Sequence, residues 1–261
     1  MTTWQPLTGP LAAERLGAHD APTIVFVHGF TQTANSWKPI AEQFVAHGVQ
    51  AIVVDLPGHG GSASVRADLR RTADMVAQMG GAGTYVGYSL GGRVCLHLAL
   101  MYPHLVRSLI LIGAHPGIAD ADERSARRDS DDALAAHLME VGVATFLAEW
   151  MANPLFGGFD PGDAERADRQ RNTVEGLAAS LRMAGTGEQL PLWPRLLELN
   201  MPVLAMAGEH DSKFAAIAEQ IATATPEGRC LLVPGAYHAA HLQNPDAVAD
   251  AIRHALPDGT A

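Results

Sequence analysis

The chain has 261 residues, 48% of them hydrophobic and 6% aromatic, and a formal net charge of −10. That length and apolar content suit one large α/β domain with a substantial core and room for an insertion. The acidic balance argues against nucleic acid as a partner, because phosphate binding needs a basic surface; a small anionic ligand held by a local arginine cluster stays possible. In chain order, the first twenty residues carry little pattern beyond an edge hairpin. "TIVFV" (23–27) then reads as a strand, 37–47 as an amphipathic helix, "AIVVDL" (51–56) as a strand and 67–79 as a helix. "TYVGY" (84–88) and "SLILIG" (108–113) read as strands flanking a helix over 90–101. After a long interruption come the strand "PVLAMAG" (202–208), a helix over 214–223, the strand "CLLVPG" (230–235) and a helix over 245–256.

Most of these strands are apolar on both faces, as parallel strands covered by helices are. Strand–helix alternation predicts a doubly wound, mostly parallel α/β sheet flanked by helices. Residues 115–199 break the alternation with helical, charged sequence, which reads as a helical cap inserted between the core segments 1–114 and 200–261. Ligands bind at the carboxyl ends of the strands in such sheets, so the insertion is expected to act as a lid. Cys95 and Cys230 read as two buried thiols of a cytoplasmic protein. "MTTWQPLTGPL" has no basic region followed by an apolar run, so no signal peptide is expected, and no apolar run reaches the length of about 18 residues that a membrane span needs. Composition leaves the oligomeric state open.

Gly87-Tyr88-Ser89-Leu90-Gly91 fits G-x-S-x-G where a strand ends and a helix begins. In that context the serine sits on a tight turn and the glycines permit close backbone approach. A serine hydroxyl needs an imidazole, and the imidazole an orienting carboxylate. The expected chain order is Ser, acid, His. "GEHDSKF" supplies Asp211, with Glu209 as its competitor, and "YHAAHLQNP" supplies His238, with His241 as the second choice. The backbone N–H groups of Leu90 and Phe30 are the candidate oxyanion donors, the latter in "VHGFTQTANSW". The glycine-rich "DLPGHGGS" (55–62) is either a plain connector or a loop that shapes this edge. There is no phosphate-cradling G-x-x-x-x-G-K-[ST], no H-E-x-x-H and no spaced Cys/His set, so neither a cofactor nor a metal is expected.

With Ser89, Asp211 and His238 in that order and a helical insertion between, the chain resembles the α/β-hydrolase superfamily over nearly its whole length. Within it, "GYSLGGRV", "AHPGI" followed by "ERSARR", "EWMANPLF", "RQRN", "GEHDSKF" and "HAAHLQNP" are similar to segments of the 2-succinyl-6-hydroxy-2,4-cyclohexadiene-1-carboxylate synthases of menaquinone (vitamin K2) biosynthesis. The resemblance implies a cofactor-independent lyase that eliminates pyruvate from a small polycarboxylate. It also implies that Arg93, Arg124 and Arg171 bind the carboxylates, with Tyr88 and Trp150 near the site. Tyr237 departs from the glycine usual before the histidine.

Read without the resemblance, Arg93 shares a helical face with Ser89, where a cation opposes the macrodipole and an anionic ligand would offset the cost. A structural pair with Asp55 or Asp74, or plain exposure, is the alternative. In "DERSARRDSDDALAAHLMEV" the stripe of Leu134, Leu138 and Val141 projects onto Arg127 and puts Arg124 about 60° away. A helix break near Asp129 would upset that projection, so the expectation follows the resemblance to Arg124. A Glu123–Arg127 pair on a solvated helix, surface exposure of Arg171 and simple lid packing of Trp150 are the bland counterparts. The same triad could serve a serine ester or carbon–carbon bond hydrolase, and a hydrolase scaffold could also serve a ligand receptor.

Overall fold

A computed structural model describes residues 3–257; the outermost residues of the two core segments, 1–2 and 258–261, lie outside the described residues. The strands are β1 (Gln5–Leu7), β2 (Ala13–Leu16), β3 (Thr23–Val27), β4 (Gln50–Val54), β5 (Gly83–Tyr88), β6 (Val106–Ile112), β7 (Val203–Gly208) and β8 (Gly228–Val233). The helices are α1 (Lys38–Val45), α2 (Leu69–Gly80), α3 (Leu90–Met101), α4 (Ala121–Met151), α5 (Gly162–Arg169), α6 (Val174–Ala184), α7 (Ser212–Ala224), α8 (Ala240–Gln243) and α9 (Pro245–Ala255). The eight strands form one sheet in the order β1-β2-β4-β3-β5-β6-β7-β8. The hairpin β1–β2 joins antiparallel at the edge, and every pairing from β4 to β8 is parallel.

The apolar strands bury both faces. One core layer packs α2, α3 and α7 on the sheet through Val76, Val94, Leu98 and Ile221; the other packs α1 and α9 through Ile40, Phe44, Val248 and Ile252. β8 departs from the expectation. It is the edge strand, most of its residues are half-buried or exposed, and Cys230 is exposed while Cys95 is fully buried. The reading of two buried thiols is thus corrected for Cys230, because no further strand lies beyond β8.

Between β6 and β7 the chain forms helices only. Asp120 caps α4 by accepting from the N–H groups of Asp122 and Glu123. The helix runs unbroken through Asp129 and bends at Gly142, whose φ of 79° and ψ of 167° no helical residue adopts. Two arms result, bridged by a 2.6 Å contact of His137 with Glu149. They pack on α6 through Ala135, Leu138, Phe146, Leu177 and Leu181. Residues of these helices line one cavity together with residues that follow β3, β5, β6, β7 and β8. Among the described residues no helix is long and apolar enough to cross a membrane.

Candidate active site

Ser89 stands between the last residue of β5 and the first of α3 with φ 50° and ψ −108°. Such a conformation costs a non-glycine residue about 1–3 kcal/mol and persists only when its surroundings hold it. The Ser89 N–H donates to Ile112 O at 2.8 Å, and its carbonyl accepts the first helical bond from Arg93 at 3.0 Å. The flanking glycines are sterically required. A Cβ on Gly91 would lie 2.1 Å from the Val27 carbonyl oxygen, and one on Gly87 would lie 2.5 Å from that of Gly91. Strand, turn and helix can meet this closely only without side chains there, which leaves the serine hydroxyl standing over the strand ends.

Asp211 caps α7, accepting from Phe214 N–H, and its Oδ2 lies 2.7 Å from His238 Nδ1. His238 Nε2 is 3.3 Å from Ser89 Oγ. Both partners of this contact are almost fully buried. The imidazole therefore donates Nδ1–H to the carboxylate and turns the Nε2 lone pair to the hydroxyl. The structure brings Ser89, Asp211 and His238 together. Glu209 is exposed, its carboxylate accepting from Gly235 N–H, and does not reach the imidazole.

His241 lies beneath the site, fully buried, stacked on Trp37 at 4.5 Å and packed on Tyr88 at 4.3 Å. Its Nε2 meets the Gln32 side-chain nitrogen at 3.1 Å, and Gln32 Oε1 accepts from Gly29 N–H at 3.1 Å. Since the Gln32 oxygen is taken by an N–H, its amide donates to His241, which must be unprotonated at Nε2. Burial, and next the charge of Arg169, hold this imidazole well below its ordinary pKa. Two further neutral histidines tie the loop after β3. His28 donates Nδ1–H to Gly29 O and accepts from Leu56 N–H; His59 donates to Pro57 O and accepts from Thr31 N–H. Burial lowers their pKa values to about 4 and about 3. Asp55 completes the fastening, accepting from Ala34 and Gly61 N–H at 2.7 Å each. "DLPGHGGS" is thus a shaping loop. Among the described residues the Phe30 N–H has no hydrogen-bond partner, and Leu90 opens α3, where N–H groups lack intrahelical acceptors. Phe30, Ser89 and Leu90 line one cavity of about 650 Å³.

Four cationic side chains face that cavity: Arg93, Arg127, Arg169 and Lys213. Arg93 is 7% exposed and pairs with neither Asp55 nor Asp74. Its Nη1 reaches only Gly185 O at 3.2 Å and Gln189 Oε1 at 3.5 Å. Burial, and next the charge of Arg127, push its pKa down to about 10. Arg127 pairs with buried Asp131 at 2.8 Å, not with Glu123. Arg169 is buried, pairs with Glu165 at 2.9 Å and donates to Thr31 Oγ1 at 2.7 Å.

Two expected positions differ. Arg124 does not line the cavity; its Nη1 turns back to the carbonyls of Ile118, Ala119 and Asp120 just ahead of α4, at 2.8 to 3.4 Å. Because the helix continues through Asp129, the apolar-stripe projection holds and Arg127 takes the inward position. Arg171 is exposed past the end of α5 and pairs with Asp168 at 2.8 Å. Arg169, on the helix's buried side, faces the cavity instead. The alanines of α5, Ala164 and Ala167, are exposed and its buried side carries Arg169, so nothing in its sequence marks that face. Gln32, His115 and Lys213 also line the cavity and were not singled out by sequence.

Tyr88 is buried with its ring 5.4 Å from that of His238. Trp150 lines the cavity and also packs in the cap, edge-on to Phe30 at 5.2 Å and stacked with Phe146 at 6.1 Å. The tyrosine at 237 lies against Gly157 of the cap, where a Cβ would come within 2.4 Å of the ring, and His238 N–H donates to Leu155 O at 3.2 Å. The tyrosine thus couples the histidine loop to the cap.

A family described as alpha/beta hydrolase fold matches residues 22–245. The 2-succinyl-6-hydroxy-2,4-cyclohexadiene-1-carboxylate synthase of Salmonella paratyphi C is 34% identical over 250 residues, covering 92% of this chain and 96% of the relative. The solved structure of MenH from S. aureus is similar at 30% identity with a TM-score of 0.83, covering 95% of this chain and 97% of that one. A malate-bound thermophilic esterase from Thermogutta terrifontis shares the fold at 24% identity and a TM-score of 0.77, covering 97% of each chain. The chain belongs to the α/β-hydrolase family and, within it, to the family of 2-succinyl-6-hydroxy-2,4-cyclohexadiene-1-carboxylate synthases.

Proposed function

We propose that this enzyme eliminates pyruvate from 2-succinyl-5-enolpyruvyl-6-hydroxy-3-cyclohexene-1-carboxylate to give 2-succinyl-6-hydroxy-2,4-cyclohexadiene-1-carboxylate, without a cofactor. One observation carries the reading: the Ser89–His238–Asp211 hydrogen-bond chain opens on a cavity whose buried Arg93 has no acidic partner within ion-pair distance. A guanidinium so placed stays buried at a cost that a bound carboxylate would offset.

In this reading His238 takes the Ser89 proton, and the serine oxygen removes a proton from the carbon beside the substrate's carbonyl. The N–H groups of Phe30 and Leu90 hold the resulting enolate oxygen. Charge returns through the ring, the carbon–oxygen bond to the enolpyruvyl group breaks, and the leaving group departs as pyruvate. The proton from the substrate carbon restores the Ser89 hydroxyl, and the imidazolium, held by Asp211, gives its proton to the departing enolpyruvate, which becomes pyruvate. Arg93, Arg127 and Arg169 bind the substrate carboxylates, with Tyr88 and Trp150 against the ring. The helices within 115–199 act as the lid.

The test is pyruvate release from the enolpyruvyl substrate by purified protein. Activity in the wild type that falls by about a thousandfold or more in Ser89→Ala supports the scheme. Full release by Ser89→Ala refutes proton abstraction through the serine. A burst of product from an activated ester, without pyruvate release, points instead to an acyl-enzyme hydrolase.

A further inference from the structure

Lys213 has no part in the scheme above, yet it lines the same cavity. It sits two residues after the triad aspartate, in the first turn of α7, and its Nζ is 5.7 Å from the ring of Phe214. That ring in turn packs at 4.4 Å on His238. Lys213 is exposed, and among the described residues no carboxylate lies within 4 Å of its ammonium group. Arg127 and Arg169 differ, each already holding an acid. His115, on the same wall, is held down to about 4 by burial and next by the charges of Lys213, Arg93 and Arg127, so these cations make one local positive field. In a chain of net charge −10, such a field is what admits a polyanion.

We infer that Lys213 is a specificity-determining residue: its ammonium group at the cavity rim captures a carboxylate of the incoming substrate, before and apart from the buried arginines. The inference rests on the lyase reading for the identity of the substrate, and its own claim is selectivity for multiply charged anions. An exposed cation of this kind acts on capture. Lys213→Ala is expected to raise KM about tenfold and leave kcat within about twofold, while Lys213→Arg restores most of the loss. The fall of kcat/KM with added salt becomes shallower in Lys213→Ala, because one charge of the attracting field is gone.

The experiment measures pyruvate release by the wild type, Lys213→Ala and Lys213→Arg across a range of ionic strength, alongside calorimetric binding of citrate as a non-reacting trianion. Wild-type KM and salt dependence in Lys213→Ala overturn the inference, since a residue that only covers Phe214 would change neither. A kcat loss with KM unchanged also overturns it. If the wild type releases no pyruvate, the lyase reading fails on its own; the citrate titration then decides, with about tenfold weaker binding by Lys213→Ala in support and equal binding against.

Discussion

Replacing Arg93 by methionine should separate function from stability. The guanidinium is 7% exposed and holds only a carbonyl and a side-chain amide, at 3.2 and 3.5 Å. Its pKa, pushed down to about 10 by burial and next by Arg127, means that the charged form costs the empty enzyme about 3 kcal/mol at neutral pH. The sign follows from the depressed value. The unfolded chain binds the proton more tightly, so the penalty is in full force below pH 10 and fades as pH rises above it. Methionine keeps the aliphatic stem and removes the charge, at the expense of two acceptors losing weak bonds worth about 1–2 kcal/mol together. A net gain of about 1–2 kcal/mol, or about 2–5 °C in Tm, is expected for a chain of this size. Activity moves the other way. Losing a buried guanidinium–carboxylate contact is worth about 3–5 kcal/mol, a drop in kcat/KM of about two to three and a half orders of magnitude. Thermal unfolding and coupled pyruvate detection read the two effects. A variant that melts lower than the wild type and turns over normally would refute the claim that Arg93 is kept for a ligand.

The other outcomes test the placement of the remaining groups. Arg124→Ala and Arg171→Ala should keep kcat/KM within about threefold, since one side chain holds backbone carbonyls and the other an exposed ion pair. Arg127→Ala, which strips the cavity of a cation, should lose at least about tenfold by the same assay. His241→Phe preserves the stacking on Trp37 and Tyr88 and deletes the acceptor of the Gln32 amide; kcat should fall about tenfold with KM unchanged. A combined Gln32→Ala, His241→Phe variant should be no worse than the single changes, which kinetics on the four proteins will show. Acid should loosen the loop after β3. His28 and His59 have folded pKa values of about 4 and about 3 against 6.5, so the unfolded chain binds more protons between those limits. Their stability contribution is whole above pH 6.5 and shrinks as pH falls, by about 2 kcal/mol each between pH 6.5 and 5. Denaturant midpoints across that range check it, and a flat profile counts against the neutral tautomers.

The alternation of apolar runs with amphipathic stretches was enough to predict the sheet, its parallel sense and the place where the helices interrupt it, because strand burial on both faces and helical periodicity are local properties of sequence. Ser89, Asp211 and His238 could be named for a related reason: G-x-S-x-G is readable as a turn that only glycine neighbours permit, and the acid and base follow strand ends in a known order. What the sequence left undecided depends on long-range packing. Arg93 lies on the serine's helical face by spacing alone, but its lack of an acidic partner is a tertiary fact: Asp55 accepts from Ala34 and Gly61 N–H, and Asp74 accepts from Tyr102. Which of Arg124 and Arg127 faces inward turned on whether α4 breaks near Asp129; the helix runs through that residue and bends at Gly142, with both arms packed on α6. Arg169 could not be told from Arg171 while the polar α5 gave no sign of its buried side. A helix's own periodicity says which residues share a face; only the neighbours that cover a face decide whether its charges meet a partner, the solvent or a cavity.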